Sequence, residues 1–132
     1  MKAFRIGLCM ALAAALGAIP AALADDQGAK PQTPYLIEYV ETGCFWCHNV
    51  DATVRRLERE QHVTVRQFNI TESSAAFASF YAWNEKFKGT HDQCLGVPYF
   101  VNTRTLATIC GAAATYDQFK AWASDERKQG RR

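Results

Sequence analysis

Glu41-Thr42-Gly43-Cys44-Phe45-Trp46-Cys47-His48 sets two cysteines three positions apart, between an apolar run and a segment of helical periodicity. Closing so small a ring removes only roughly 2 kcal/mol of unfolded-chain entropy, so a C-x-x-C bridge is a weak staple. The spacing suits reversible chemistry better. A cysteine at the start of a helix lies beside unsatisfied backbone N–H groups and the positive end of the helix dipole, which stabilise a thiolate. A second cysteine one turn further in can attack a mixed disulfide formed on the first. The stretch is expected to be a redox dithiol.

Upstream, Tyr35-Leu36-Ile37-Glu38-Tyr39-Val40 is short, aromatic and β-branched, and predicts a buried strand running into the Cys44 turn, with Glu38 as its anomaly. Downstream, Val50, Val54 and Leu57 share one helical face, and Val63 to Ile70 alternates apolar and polar residues as a second strand does. A strand, a short helix and another strand imply a parallel pair. Thr71 to Ser74 supplies helix-start residues for a pattern carrying Phe77, Phe80, Trp83 and Phe87, an aromatic stripe expected to be core rather than a ligand pocket, and Gly89 ends it. Val97-Pro98-Tyr99-Phe100-Val101-Asn102 predicts a third strand with proline at its beginning, and Leu106 to Cys110 its hairpin partner, closed by Gly111. Thr115-Tyr116-Asp117-Gln118 matches a capping box opening a last helix, with Phe119, Trp122 and Ala123 inward.

The chain has 132 residues, 48% hydrophobic and 21% charged, which suits one globular domain. Lys2 and Arg5 precede an apolar stretch from Ile6 to Ile19, and Ala22-Leu23-Ala24 is a small-residue cleavage site, so residues 1–24 read as a signal peptide and Cys9 is discarded with it. Residues 25–34 read as a flexible polar tether, 35–126 as the folded domain and 127–132 as a frayed basic end. Cleavage removes both methionines and the two cations behind the net charge of +2, leaving a neutral chain with four cysteines. That balance gives no reason for nucleic acid or an anionic membrane surface as partner, and an even cysteine count suits an exported, oxidising compartment, the periplasm.

The order β-α-β-α-β-β-α, with C-x-x-C at the first strand-to-helix junction and Gly-Val-Pro before the third strand, resembles the thioredoxin superfamily over nearly all of residues 35–126. The resemblance implies an α/β thioredoxin fold, a central mixed sheet of about four strands flanked by helices. It implies a thiol-disulfide oxidoreductase, a reductase or electron carrier, acting as a monomer on protein thiols or disulfides with a redox partner and no cofactor or metal. Cys44 would attack and Cys47 resolve. Val97 and a cis Pro98 would face the dithiol and form a substrate groove, rimmed by Phe45, Trp46 and Tyr99. Glu38, six residues before Cys44, would relay the proton of Cys47, burial raising its pKa. Gly43 stands where thioredoxin has a tryptophan, and Phe45-Trp46 replaces the usual Gly-Pro. With those inner residues changed, the direction of electron flow is open.

Two other readings compete. Cys44-x-x-Cys47-His48 also satisfies the c-type haem attachment pattern, although the chain after residue 24 has no methionine to serve as a distal ligand. Cys44, Cys47, His91 and Cys94 could make a Cys3His zinc site, which would leave Cys110 unpaired. On the dithiol reading, Cys94 and Cys110 are expected to form a second, structural disulfide, because an antiparallel hairpin returns one towards the other. The alternatives there are two free thiols, or a pair that exchanges with Cys44.

Overall fold

A computed structural model of the chain describes residues 34–124. The expected signal peptide, Cys9, residues 25–33 of the tether and the basic end 127–132 lie outside the described residues. Elements run β1 (Leu36–Val40), α1 (Phe45–Gln61), β2 (Val65–Asn69), α2 (Ser74–Lys86), β3 (Tyr99–Asn102), β4 (Thr108–Cys110) and α3 (Tyr116–Ala123). The sheet order is β2-β1-β3-β4, with β1 parallel to β2 and antiparallel to β3, and β3 antiparallel to β4. This is an α/β fold, a mixed four-stranded open sheet flanked by three helices, consistent with the thioredoxin-like fold.

The pleat divides the core. Leu36, Val65 and Phe100 point to one face and pack with Val50, Val54 and Leu57 of α1 and Phe119, Trp122 and Ala123 of α3. Ile37, Tyr39, Tyr99 and Val101 point to the other face, against Phe80 and Trp83 of α2. Alternation along each strand accounts for the division, since residues at i and i+2 share a face. Strands are one to three residues shorter at their ends than the apolar patterns, because pairing stops where the chain turns away: Pro98 precedes β3 and Leu106, in the left-handed region at φ 62°, precedes β4.

Local signals at the helix ends are realised in detail. Ser73 caps α2 by accepting from Ala76 N–H, and Thr115 and Gln118 form both halves of the capping box of α3. The aromatic stripe of α2 departs from expectation at one position. Phe80, Trp83 and Phe87 are partly buried, but Phe77 is 53% exposed, as is Tyr81 at 57%. Successive helix residues are about 100° apart, so Ala76, Phe80, Trp83, Asn84 and Phe87 fill the inward arc, and Phe77 and Tyr81 fall at and beyond its edge. Asn102, fully buried, accepts from Arg104 and Thr105 N–H and donates to the Trp122 carbonyl, tying the β3–β4 turn to the end of α3.

Candidate active site

The register places the site. Tyr39 pairs with Tyr99, so the carboxyl end of β1, where the chain enters the Cys44 turn, lies at the same end of the sheet as Pro98, the residue before β3. The Val97–Pro98 peptide is cis. Gly43 adopts φ 77°, a left-handed conformation that costs a residue with a Cβ about 1 kcal/mol or more. This gives a backbone reason for glycine at the position where the resemblance leads one to look for tryptophan. The turn is held from the side: Thr42 N–H donates to Thr71 Oγ1, and the Thr42 hydroxyl donates to Glu72 Oε1 and accepts from Asn69 Nδ2. Asn69 Oδ1 in turn accepts from the Thr71 and Glu72 N–H groups, so the loops after β1 and β2 are fastened together.

Cys44 is the N-cap of α1, and its Sγ accepts the Cys47 N–H at 3.1 Å. Cys44 and Cys47 are joined, with S–S 2.07 Å and Cα atoms 5.3 Å apart. Both residues are nearly buried, at 7% and 6% exposure. Exposure therefore does not distinguish the two sulfurs; the N-cap position of Cys44 does. Between them, Phe45 and Trp46 are 65% and 61% exposed and meet edge to face with ring centroids 5.3 Å apart. Intervening residues in the first turn of a helix point outward when the two cysteines point in.

Glu38 is fully buried and lies on the α1 face of β1 with Leu36. Its Oε2 accepts Gln67 Nε2 at 2.9 Å, while Oε1 is buried with no hydrogen-bond partner among the described residues. Burial raises its pKa to about 7 against the lowering effect of the Gln67 bond, and the carboxylates of Asp51 and Glu58 push the same way as burial. Gln67 was not singled out from the sequence, yet a signal was present: it occupies a polar position on the Val65 face of β2, directly opposite the Glu38 anomaly in the parallel register.

Tyr99 corrects the expected groove rim. It is fully buried, stacked on Tyr39 and edge-on to Phe80, with its hydroxyl donating to the Asp92 carbonyl, because its place in β3 turns it to the α2 face. Pro98 is buried and Val97 half-buried, while Leu95, not anticipated, is 81% exposed in the same loop. Cys94 and Cys110 are bonded to each other, S–S 2.01 Å, with Cα atoms 5.5 Å apart. The Cys3His alternative is thereby overturned. Cys94 is engaged on β4 rather than with Cys44 and Cys47, and among the described residues no three His, Cys, Asp or Glu side chains cluster as metal ligands. The haem alternative finds no fitting pocket at His48. That imidazole is 77% exposed beside Asp51, and the hollow next to it is lined by Asp51, Ala52, Arg55 and Arg59, charged where a haem face needs apolar walls. Comparison with known proteins found no matching family model, no matching curated protein and no matching solved structure.

Proposed function

We propose that this protein is an exported thiol-disulfide oxidoreductase of the thioredoxin superfamily, acting as a monomer on protein thiols or disulfides in the periplasm, as a reductase or electron carrier. The observation that carries the reading is Cys44 Sγ at the N-cap of a 17-residue helix, in contact with a backbone N–H that would stabilise its thiolate. In the reducing direction the Cys44 thiolate attacks one sulfur of a substrate disulfide, forming a mixed disulfide and releasing the first substrate thiolate. Cys47 then gives its proton to Glu38 and attacks Cys44 Sγ. The second substrate thiolate leaves, and two electrons have passed from the dithiol to the substrate. Glu38 suits that task because its pKa lies near neutrality and Oε1 has no competing donor among the described residues. Phe45, Trp46, Val97 and Pro98 offer the apolar contacts for an extended substrate segment. Export rests on the Lys2 to Ala24 pattern. Cys94–Cys110 serves as a brace.

Alkylation of the reduced protein across mildly acidic pH tests the assignment. Cys44 should be labelled first, and preferential labelling of Cys47 would reverse the roles. The reduction potential of the pair then fixes direction: a value near that of thioredoxin means a reductase, and a much higher one an oxidant.

A further inference from the structure

The second disulfide is asymmetric. Cys94 is 1% exposed, packed with Ile37, Tyr39, Tyr99 and Val101, whereas Cys110 is exposed at the end of β4, a strand with a neighbour on one side only among the described residues. The asymmetry follows from the fold, since the loop before β3 passes under α2 while β4 closes the sheet edge. It has a chemical consequence. A thiolate must reach a sulfur directly to displace its partner, so the sulfur on the exposed residue is the one that would receive the attack and the sulfur of the buried residue the one that would leave.

We propose that Cys94–Cys110 is a second thiol-exchange centre, attacked at Cys110 by low-molecular-weight monothiols, and that it works independently of Cys44 and Cys47. An incoming thiolate forms a bond to Cys110 Sγ, the Cys94–Cys110 bond breaks, and its electron pair leaves on Cys94. A second thiolate takes the sulfur of the first from the mixed disulfide and frees Cys110. Two external thiols become one disulfide, the protein pair becomes two thiols, and each protein thiolate takes a proton from solvent. Cys94 is a reluctant leaving group, because apolar surroundings disfavour its thiolate, and it stays placed to re-close the bond. Opening is therefore slower than at Cys44–Cys47.

The loop does not depend on the disulfide alone. Cys94 N–H donates to Asn84 Oδ1 at 3.0 Å, Tyr99 Oη donates to the Asp92 carbonyl, and Thr108 Oγ1 donates to Asp92 Oδ1 at 2.7 Å. These bonds hold loop, helix and β4 together after the sulfurs part, so exchange at Cys110 needs no global unfolding. The test is peptide mapping by mass spectrometry of the oxidised protein held in glutathione buffers of graded ratio and quenched in acid. The expected result is a glutathione adduct on Cys110 with Cys94 free, in about tenfold or greater excess over any adduct on Cys94, and unchanged in a C44S/C47S double variant. An adduct chiefly on Cys94, no Cys110 adduct at any ratio, or formation at the rate of global unfolding measured in the same buffer would overturn the proposal. So would loss of the adduct in the double variant, which would mean that electrons arrive through Cys44.

Discussion

The two disulfides of this domain make different uses of the same bond. Cys44–Cys47 closes a ring of four residues at a helix N-terminus, and Cys94–Cys110 spans a sequence separation of 16 from a buried loop to a sheet edge. The short ring constrains the unfolded chain little but places one sulfur against a backbone N–H. The long one constrains more and has no helix end to stabilise a thiolate. On the proposed reading, position relative to a helix dipole, more than the bond itself, separates the fast-exchanging pair from one that braces the fold and opens slowly.

The largest effect that could break this comparison is on turnover. Cys44→Ser should lower exchange with a disulfide-bonded protein substrate by several orders of magnitude, since no other sulfur occupies a helix N-cap among the described residues, whereas Cys110→Ser should retain most of it. Equal loss in both variants would merge the two centres into one.

Stability should rank the pairs the other way. Chain entropy gives roughly 3 kcal/mol for the longer loop against roughly 2 kcal/mol for the shorter. Opening Cys94–Cys110 should therefore lower the urea midpoint more than opening Cys44–Cys47, and it should need a stronger reductant. A Cys94–Cys110 bond that opens first under graded reduction would refute the bracing role.

Glu38 sharpens the contrast, being the one carboxyl fully buried among the described residues. Its folded pKa of about 7 lies above the unfolded value of 4.5, so over that window the native state holds more protons than the unfolded chain. Its favourable contribution is complete below about pH 4.5 and is lost as pH rises through about 7, about 3 kcal/mol in all. Urea titrations at several pH values should show this decline in the wild type and a flatter profile in Glu38→Gln. Parallel profiles would mean that Glu38 does not titrate in the window.

Much of this was legible because the deciding signals are local. The C-x-x-C spacing, the helix-start residues Thr71 to Ser74, the Thr115 capping box and the short apolar run of β1 depend on a few neighbouring residues, and each meets its expected element. The buried position of Tyr99 depends on its pairing with Tyr39 and on which face α2 covers, neither of which a strand pattern states. The same holds for Phe77, whose apolar character gave no sign of which side of α2 meets the sheet. Gln67 lay between these cases. Its polarity was visible, but its meaning required the register that sets it beside Glu38.

The anchors of the two disulfide loops give the smallest and most discriminating test. Each loop has an asparagine among its anchors, Asn84 for Cys94 and Asn69 for the Cys44 turn. Asn84 is 4% exposed, so Asn84→Ala strands the Cys94 N–H in the core at a cost of about 1–3 kcal/mol. Asn69 bonds groups that solvent can reach, so Asn69→Ala should cost only about 1 kcal/mol, water replacing much of what is lost. Function should show the reverse order. Loosening the Thr42 turn moves the backbone that presents Cys44 and should slow its alkylation, while Asn84→Ala should leave that rate nearly unchanged. If Asn84→Ala slows Cys44 as much as Asn69→Ala does, the two loops are mechanically one unit, and the division of labour between the disulfides fails with them.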